Sequence, residues 1–207
     1  MRVVLFFTLC FLSSSCAQLT RLDTGRTVGN NNMEIGGYIA AYGLNEAASP
    51  DLGSVALPVL GFQMNYGFTD KIDINASLNT SGNIYINPKF QLVGDQESSF
   101  ALSLLPGADV QVGDIDGTDD RLIFRPHFSA ILSFHQDEWA AFLEPKYIYQ
   151  NVTESHFLGA TIGVEYFLNQ RTKFALGYSY FPLVGTDLAP GSSLYNIGFG
   201  LKRHIKL

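Results

Sequence analysis

From Met33 onward, large apolar residues and small polar ones alternate in runs broken by turn formers. One run reads Leu122, Phe124, Pro126, Phe128, Ala130, Leu132 and Phe134, with Arg121, Ile123, Arg125, His127 and Ser129 between them. The stretch QMNYGFTDKIDINASL (63–78) holds two such runs: Met64, Tyr66 and Phe68 before a break, and Ile72, Ile74, Ala76 and Leu78 after it. A period of two is the signature of a strand, and nothing after the N-terminal segment repeats at the helical 3.6. Ten strands are predicted, at 33–43, 54–68, 71–79, 83–92, 99–110, 121–134, 139–150, 156–168, 173–182 and 193–205.

The connections fall into two sets. Thr69-Asp70, Gly94 to Ser98, Gln136 to Glu138 and Asn169 to Thr172 are compact. Leu44 to Gly53, Gln111 to Asp120 and Pro182 to Ser192 are longer, with Thr80 to Gly82 and Asn151 to Ser155 as short members of that second set. An even strand number, short turns at one end and longer loops at the other describe an outer-membrane barrel. The expected fold is all-β: a single antiparallel up-and-down transmembrane β-barrel of about ten strands.

Alternation alone does not say which face meets water. One face carries Leu60, Phe62, Met64, Tyr66 and Phe68, then Ile84, Ile86, Pro88, Phe90 and Leu92, then Leu158, Ala160, Ile162, Val164 and Tyr166, then Tyr195, Ile197, Phe199 and Leu201. The other carries Asn83, Tyr85, Asn87, Lys89 and Gln91, then Gly159, Thr161, Gly163 and Glu165, then Asn196, Gly198, Gly200 and Lys202. A soluble barrel would need a solvent face dense in Lys and Glu. This polar face is small and mostly neutral, which suits the inside of a narrow barrel, while large apolar residues suit lipid. Tyr66, Phe68, Phe134, Trp139, Tyr147, Tyr149, Tyr166 and Tyr180 fall near strand ends, where aromatic girdles lie. Pro58, Pro88, Pro106, Pro126 and Pro145 fall inside predicted strands on the lipid face, where each removes a ladder donor.

Composition agrees. Only 15% of the 207 residues are charged and 13% are aromatic, with 20 glycines, against roughly 25% charged in soluble domains. The formal charge of -6 leaves no basic surface for nucleic acid. Both cysteines, Cys10 and Cys16, lie in the first sixteen residues, so no disulfide framework is available.

MRVVLFFTLCFLSSSCAQ reads as an export signal: Arg2, an apolar run from Val3 to Leu12, then small residues from Ser13 to Ala17. Cleavage is expected either after residue 15, in a lipobox-like LSSSC that would lipidate Cys16, or after Ala17. Residues 16–32 are polar and aperiodic and read as an N-terminal tether, with the barrel over 33–207. The location implied is the bacterial outer membrane, with its lipid and the barrel-insertion machinery as partners.

YGFTDKIDINASL resembles the Tyr-Gly-hydrophobic-Thr-Asp-basic-hydrophobic hairpin of small Gram-negative outer-membrane β-barrels, among them the transporter-like barrels related to the phenol-degradation meta-pathway family. The resemblance is close over the hairpin and extends to the rest by rhythm. It implies an outer-membrane location and no particular substrate.

Inward-facing charges are the candidate site: a lumen polar network of Lys89, Arg125, His127, Glu144, Lys146 and Glu165. A tight hairpin at 136–138 would put His127 opposite Lys146 and Ser129 opposite Glu144. A His–Ser–Glu grouping is the chemistry of an acyl hydrolase; an ion-pair network filling a narrow lumen is the commoner arrangement. The acidic loop GDIDGTDD (113–120) has Gly at the fourth position rather than the sixth an EF-hand requires. Neither a metal site nor a cofactor is expected. The reading is a non-catalytic barrel with a structural or narrow-channel, small-solute role. Its alternatives are a lipid-modifying hydrolase, or a lipid-anchored soluble barrel holding an apolar ligand.

Overall fold

The computed structural model describes residues 22–45, 57–114, 120–151, 154–184 and 193–207. The signal peptide, Cys16 and the middle of the acidic loop lie outside them. Ten strands follow in chain order: β1 (Asn32–Asn45), β2 (Leu57–Gly67), β3 (Ile72–Asn79), β4 (Asn83–Val93), β5 (Phe100–Asp114), β6 (Asp120–His135), β7 (Trp139–Gln150), β8 (Ser155–Phe167), β9 (Thr172–Val184) and β10 (Ser193–Lys206). Each pairs antiparallel with its neighbours in sequence, and β1 pairs with β10 to close an up-and-down barrel. Closure removes both sheet edges, so the backbone can sit in lipid without unsatisfied groups.

The faces are assigned as the pattern predicts. Leu60 and Phe62 are 53% and 51% exposed, and Ile84, Leu122, Leu158, Ile162, Ile197 and Leu201 are exposed with them. The alternate residues Gln63, Asn65, Asn75, Asn87, Ser129 and Thr161 are buried inside. The large apolar side chains form the outer surface, so the alternative of a soluble barrel with an apolar interior is corrected. Asn65 and Asn75 meet on the inner wall, Asn75 Nδ2 donating to Asn65 Oδ1 at 2.7 Å.

The compact turns share one rim. Phe68 and Thr69 N–H both donate to Ile72 C=O, and Leu168 N–H donates to Thr172 C=O. Asn169 Oδ1 accepts from the N–H groups of Arg171 and Thr172. Gln136 N–H donates to Trp139 C=O at 2.8 Å, so the β6–β7 turn has Asp137 and Glu138 at its centre. That closure pairs His135 with Ala140, shifting the hairpin by two residues from the expected register: His127 stands opposite Ile148, and Ser129 opposite Lys146. A shift of two keeps every side chain on its face.

The prolines fall where the ladders pause. β4 and β5 pair from Asn83↔Gln111 to Ile86↔Ala108 and again at Phe90↔Leu104, a register that sets Pro88 opposite Pro106. Two residues lacking N–H thus share one gap, and a bulge at Gln91/Val93 follows. Pro145 falls between the pairs Ser129↔Lys146 and Leu132↔Leu143.

Inside, three aromatic rings lie over cross-strand glycines. A Cβ on Gly61 would meet the Tyr38 ring at 2.1 Å, one on Gly163 the Phe142 ring at 2.4 Å, and one on Gly159 the Phe181 ring at 2.5 Å. These rings fill lumen volume that the glycines leave open.

Candidate functional site

The lumen is filled partly by the chain's own N-terminal segment. Residues 22–31, expected to be part of a tether, run inside the barrel before the chain turns into β1. The reversal is built at the rim: Gly29 and Asn31 have φ of 86° and 54°, Asn31 N–H donates to Gly67 C=O at 2.9 Å, and Asn30 N–H donates to Asp70 Oδ1 at 3.1 Å. A Cβ on Gly67 would stand 1.8 Å from Gly29 O, so only glycine allows this approach.

Further in, wall side chains take up the segment's backbone groups. Val28 N–H donates to both Asp73 oxygens, at 3.2 and 3.0 Å, and Thr27 N–H donates to Gln91 Oε1 at 2.9 Å. Gly25 N–H donates to Ser133 Oγ at 3.0 Å, and Ser103 Oγ donates to Gly25 O. The Arg26 guanidinium donates to Ser98 O. Leu22, 1% exposed, is the apolar anchor, packed among Tyr38, Ala40, Tyr42, Val59, Ile148, Ala175 and Phe181. A segment without a regular hydrogen-bonding partner strand must satisfy its backbone this way when buried.

Asp23 ties two walls together. Its Oδ2 is 3.1 Å from Lys89 Nζ on β4, and its Oδ1 is 3.7 Å from Lys202 Nζ on β10. Each lysine also has a carboxylate on the wall itself. Lys89 is 3.1 Å from Asp73, its cross-strand partner. Lys202 is 3.0 Å from Glu34 and contacts Glu165, while Lys173 lies 2.6 Å from Glu34. Asp23, Glu34 and Glu165 bring one oxygen each within 4.8 Å of one another, a spacing that suits a cation. The Lys202 ammonium is that cation.

A second ion pair joins β5 to β6. Arg125 donates through Nε to Asp109 and through Nη2 to Asn83 and to Gln111, the last at 3.1 Å. The Tyr85 ring stacks on His127 at 4.6 Å and 7°, across the side-chain gap at Gly107, with Lys146 Nζ 5.1 Å from the Tyr85 centroid.

All six residues expected in the lumen network are buried on the inner face, but they fall into separate groups. Lys89 and Glu165 belong to the charges around residue 23, Arg125 to the Asp109 pair, His127 and Lys146 to Tyr85. Glu144 Oε1 accepts from Ser129 Oγ at 2.7 Å. That bond leaves Ser129 engaged with a carboxylate rather than with His127, so the nucleophile–base bond of a hydrolase is not formed. A Ser–His contact does occur between Ser133 Oγ and His135 Nε2, at 2.8 Å, but the same hydroxyl accepts from Gly25 N–H and pins the segment. The alternation had placed Lys202 on the polar face without singling it out. Nothing in the aperiodic run around Asp23 marked it as a lumen residue.

A family model described as "Putative MetA-pathway of phenol degradation" matches residues 23–205, a span that takes in the luminal segment as well as the strands. Curated proteins give no match. Among solved structures the chain is similar to an outer membrane channel from Pseudomonas putida F1, 12% identical over 92% of this chain and 99% of that one, with a TM-score of 0.49. It is also similar to the outer membrane protease OmpT from Escherichia coli, 10% identical over 93% and 100% of the two chains, TM-score 0.49. A third likeness is to the NanC porin, 9% identical over 81% and 98%, TM-score 0.45. With a closed barrel and an apolar outer belt, the protein is an outer-membrane barrel with a channel or structural role. On a match spanning residue 23 to residue 205, the chain belongs to the family of that phenol-degradation description.

Proposed function

We propose that the barrel is a narrow conduit for small polar solutes, held closed in this conformation by residues 22–31. The observation that carries this reading is the duplicate pairing of the lumen lysines. Lys89 keeps Asp73, and Lys202 keeps Glu34 and Glu165, whether or not Asp23 is present. Breaking a buried pair so as to strand one charge costs about 3–5 kcal/mol. Withdrawal of the segment strands no wall charge, and water can replace its backbone hydrogen bonds. A purely structural filling would have no need of this redundancy.

Ten strands enclose a lumen little wider than the eight-stranded size that side chains can fill, far from the 16–18 of open porins. Proteoliposomes carrying the protein should therefore admit a pentose and exclude a tetrasaccharide in swelling assays. Entry of both would contradict a narrow conduit. Exclusion of both, by the wild type and by variants that loosen residues 22–31, would leave a structural role instead.

A further inference from the structure

The rim of short turns is electrically divided. In ring order it presents the β1/β10 end, then the β8–β9, β6–β7, β4–β5 and β2–β3 turns. The β6–β7 and β4–β5 turns carry exposed Asp137, Glu138, Asp95 and Glu97. The β8–β9 turn and the end of β10 carry exposed Arg171, Arg203 and Lys206. A hydrogen bond from His204 N–H to Arg171 C=O, at 2.7 Å, and the pair Arg203↔Thr172 bring this basic arc together.

Arg203 is the unusual member. It lies on the outer, lipid-facing side of β10, on the same face as Leu201 and Leu207, which are 53% and 71% exposed. The Phe174 and Phe199 rings pack nearby, 6.4 Å apart. Among the described residues, the side chains of Arg171, Arg203 and Lys206 make no hydrogen bond or ion pair. The carboxylates on neighbouring strands, Glu34 and Glu165, face inward and are held by Lys173 and Lys202. A guanidinium on a lipid-facing surface near the rim carries its charge to the headgroup level, where a lipid anion can pair with it.

We propose that this arc is a binding site for an anionic phospholipid headgroup in the leaflet at the short-turn rim. The planar guanidinium forks of Arg203 and Arg171 suit a phosphodiester, which accepts two N–H bonds at once. Lys206 adds charge at the rim, and the exposed apolar residues beside Arg203 lie against the acyl chains. The acidic turns on the adjoining arc repel the same headgroup, so the preference is local.

The protein's single tryptophan, Trp139, stands on the acidic arc and supplies an internal control. A second reporter, Ile205→Trp in a Trp139→Phe background, stands on the outer face beside Arg203. Quenching is compared in phosphatidylcholine vesicles containing brominated phosphatidylglycerol or brominated phosphatidylcholine. At position 205 the brominated phosphatidylglycerol should be preferred, by about fivefold per cation engaged; at Trp139 no such preference should appear. Arg171→Gln with Arg203→Gln should abolish the preference at 205, as should 1 M salt. Heat-modifiable gel migration verifies that each variant has folded. Equal quenching by the two lipids at 205, an equal preference at both tryptophans, or a preference that survives the double substitution would overturn the proposal.

Discussion

Asp23 Oδ2 lies 3.1 Å from Lys89 Nζ, joining an aperiodic N-terminal segment to the barrel wall at β4. Hydrogen bonds to charged groups contribute about 1.5–3 kcal/mol each. Asp23→Asn should therefore loosen residues 22–31 while leaving Lys89 paired with Asp73. Hydrogen exchange at the Gly25, Thr27 and Val28 amides should accelerate by roughly 10- to 100-fold on the same energy scale. The temperature at which the barrel loses its folded gel mobility should barely change. A barrel that unfolds together with the segment would show that residues 22–31 are part of the core and not a separable element.

Gly163 tests how the lumen is packed. Its Cβ position is 2.4 Å from the Phe142 ring and 2.6 Å from the backbone oxygen of Leu176. One neighbour is a side chain that can turn, and the other is a strand that cannot. Overpacking of this kind costs about 1–3 kcal/mol. Gly163→Val should lower the temperature of heat modification, and adding Phe142→Ala should recover only part of the loss. Full recovery would mean that the backbone contact is unimportant.

The β4–β5 turn carries a pH dependence that can be read outside the membrane. Asp95 is held below the usual carboxylate range by the Ser98 hydroxyl first, and then by the N–H groups of Glu97 and Ser98. Its contribution to turn order is present above the ordinary Asp value of about 3.9. That contribution is lost as pH falls through the lower folded value. Side-chain NMR should place the Asp95 midpoint below that of an unstructured Asp, and Ser98→Ala should raise it. A midpoint at or above the ordinary value would contradict the turn geometry.

The strands were legible because a two-sided surface imposes a two-residue period. The faces followed because Leu60 and Phe62 have no aqueous role opposite Gln63 and Asn65. The hairpin register between β6 and β7 was less legible, since a turn centred on Asp137-Glu138 and one spanning 136–138 differ in a single backbone bond. The prolines resisted until the register set Pro88 against Pro106, a relation between strands that no single run contains. The luminal segment was not legible at all. Residues 22–31 obey no period, because their partners are side chains from several strands: Asp73 on β3, Gln91 on β4, Ser103 on β5, Ser133 on β6 and Lys202 on β10. The grouping of His127, Ser129 and Glu144 was legible only as a shared face; which of them bond, Ser129 to Glu144, depends on the hairpin register.

Single-channel conductance in planar bilayers tests closure by residues 22–31 most directly, and Gly25→Val is the decisive variant. A Cβ at position 25 meets the backbone oxygens of Ile131 and Ala101 at 2.9 and 3.0 Å and Ser133 Oγ at 3.0 Å, so valine displaces the segment without altering a charge. The wild type should be closed for most of the record, with brief small steps. Gly25→Val should give the same small step with a much higher open fraction. A variant as closed as the wild type, or steps of large-porin size from either protein, would contradict the account.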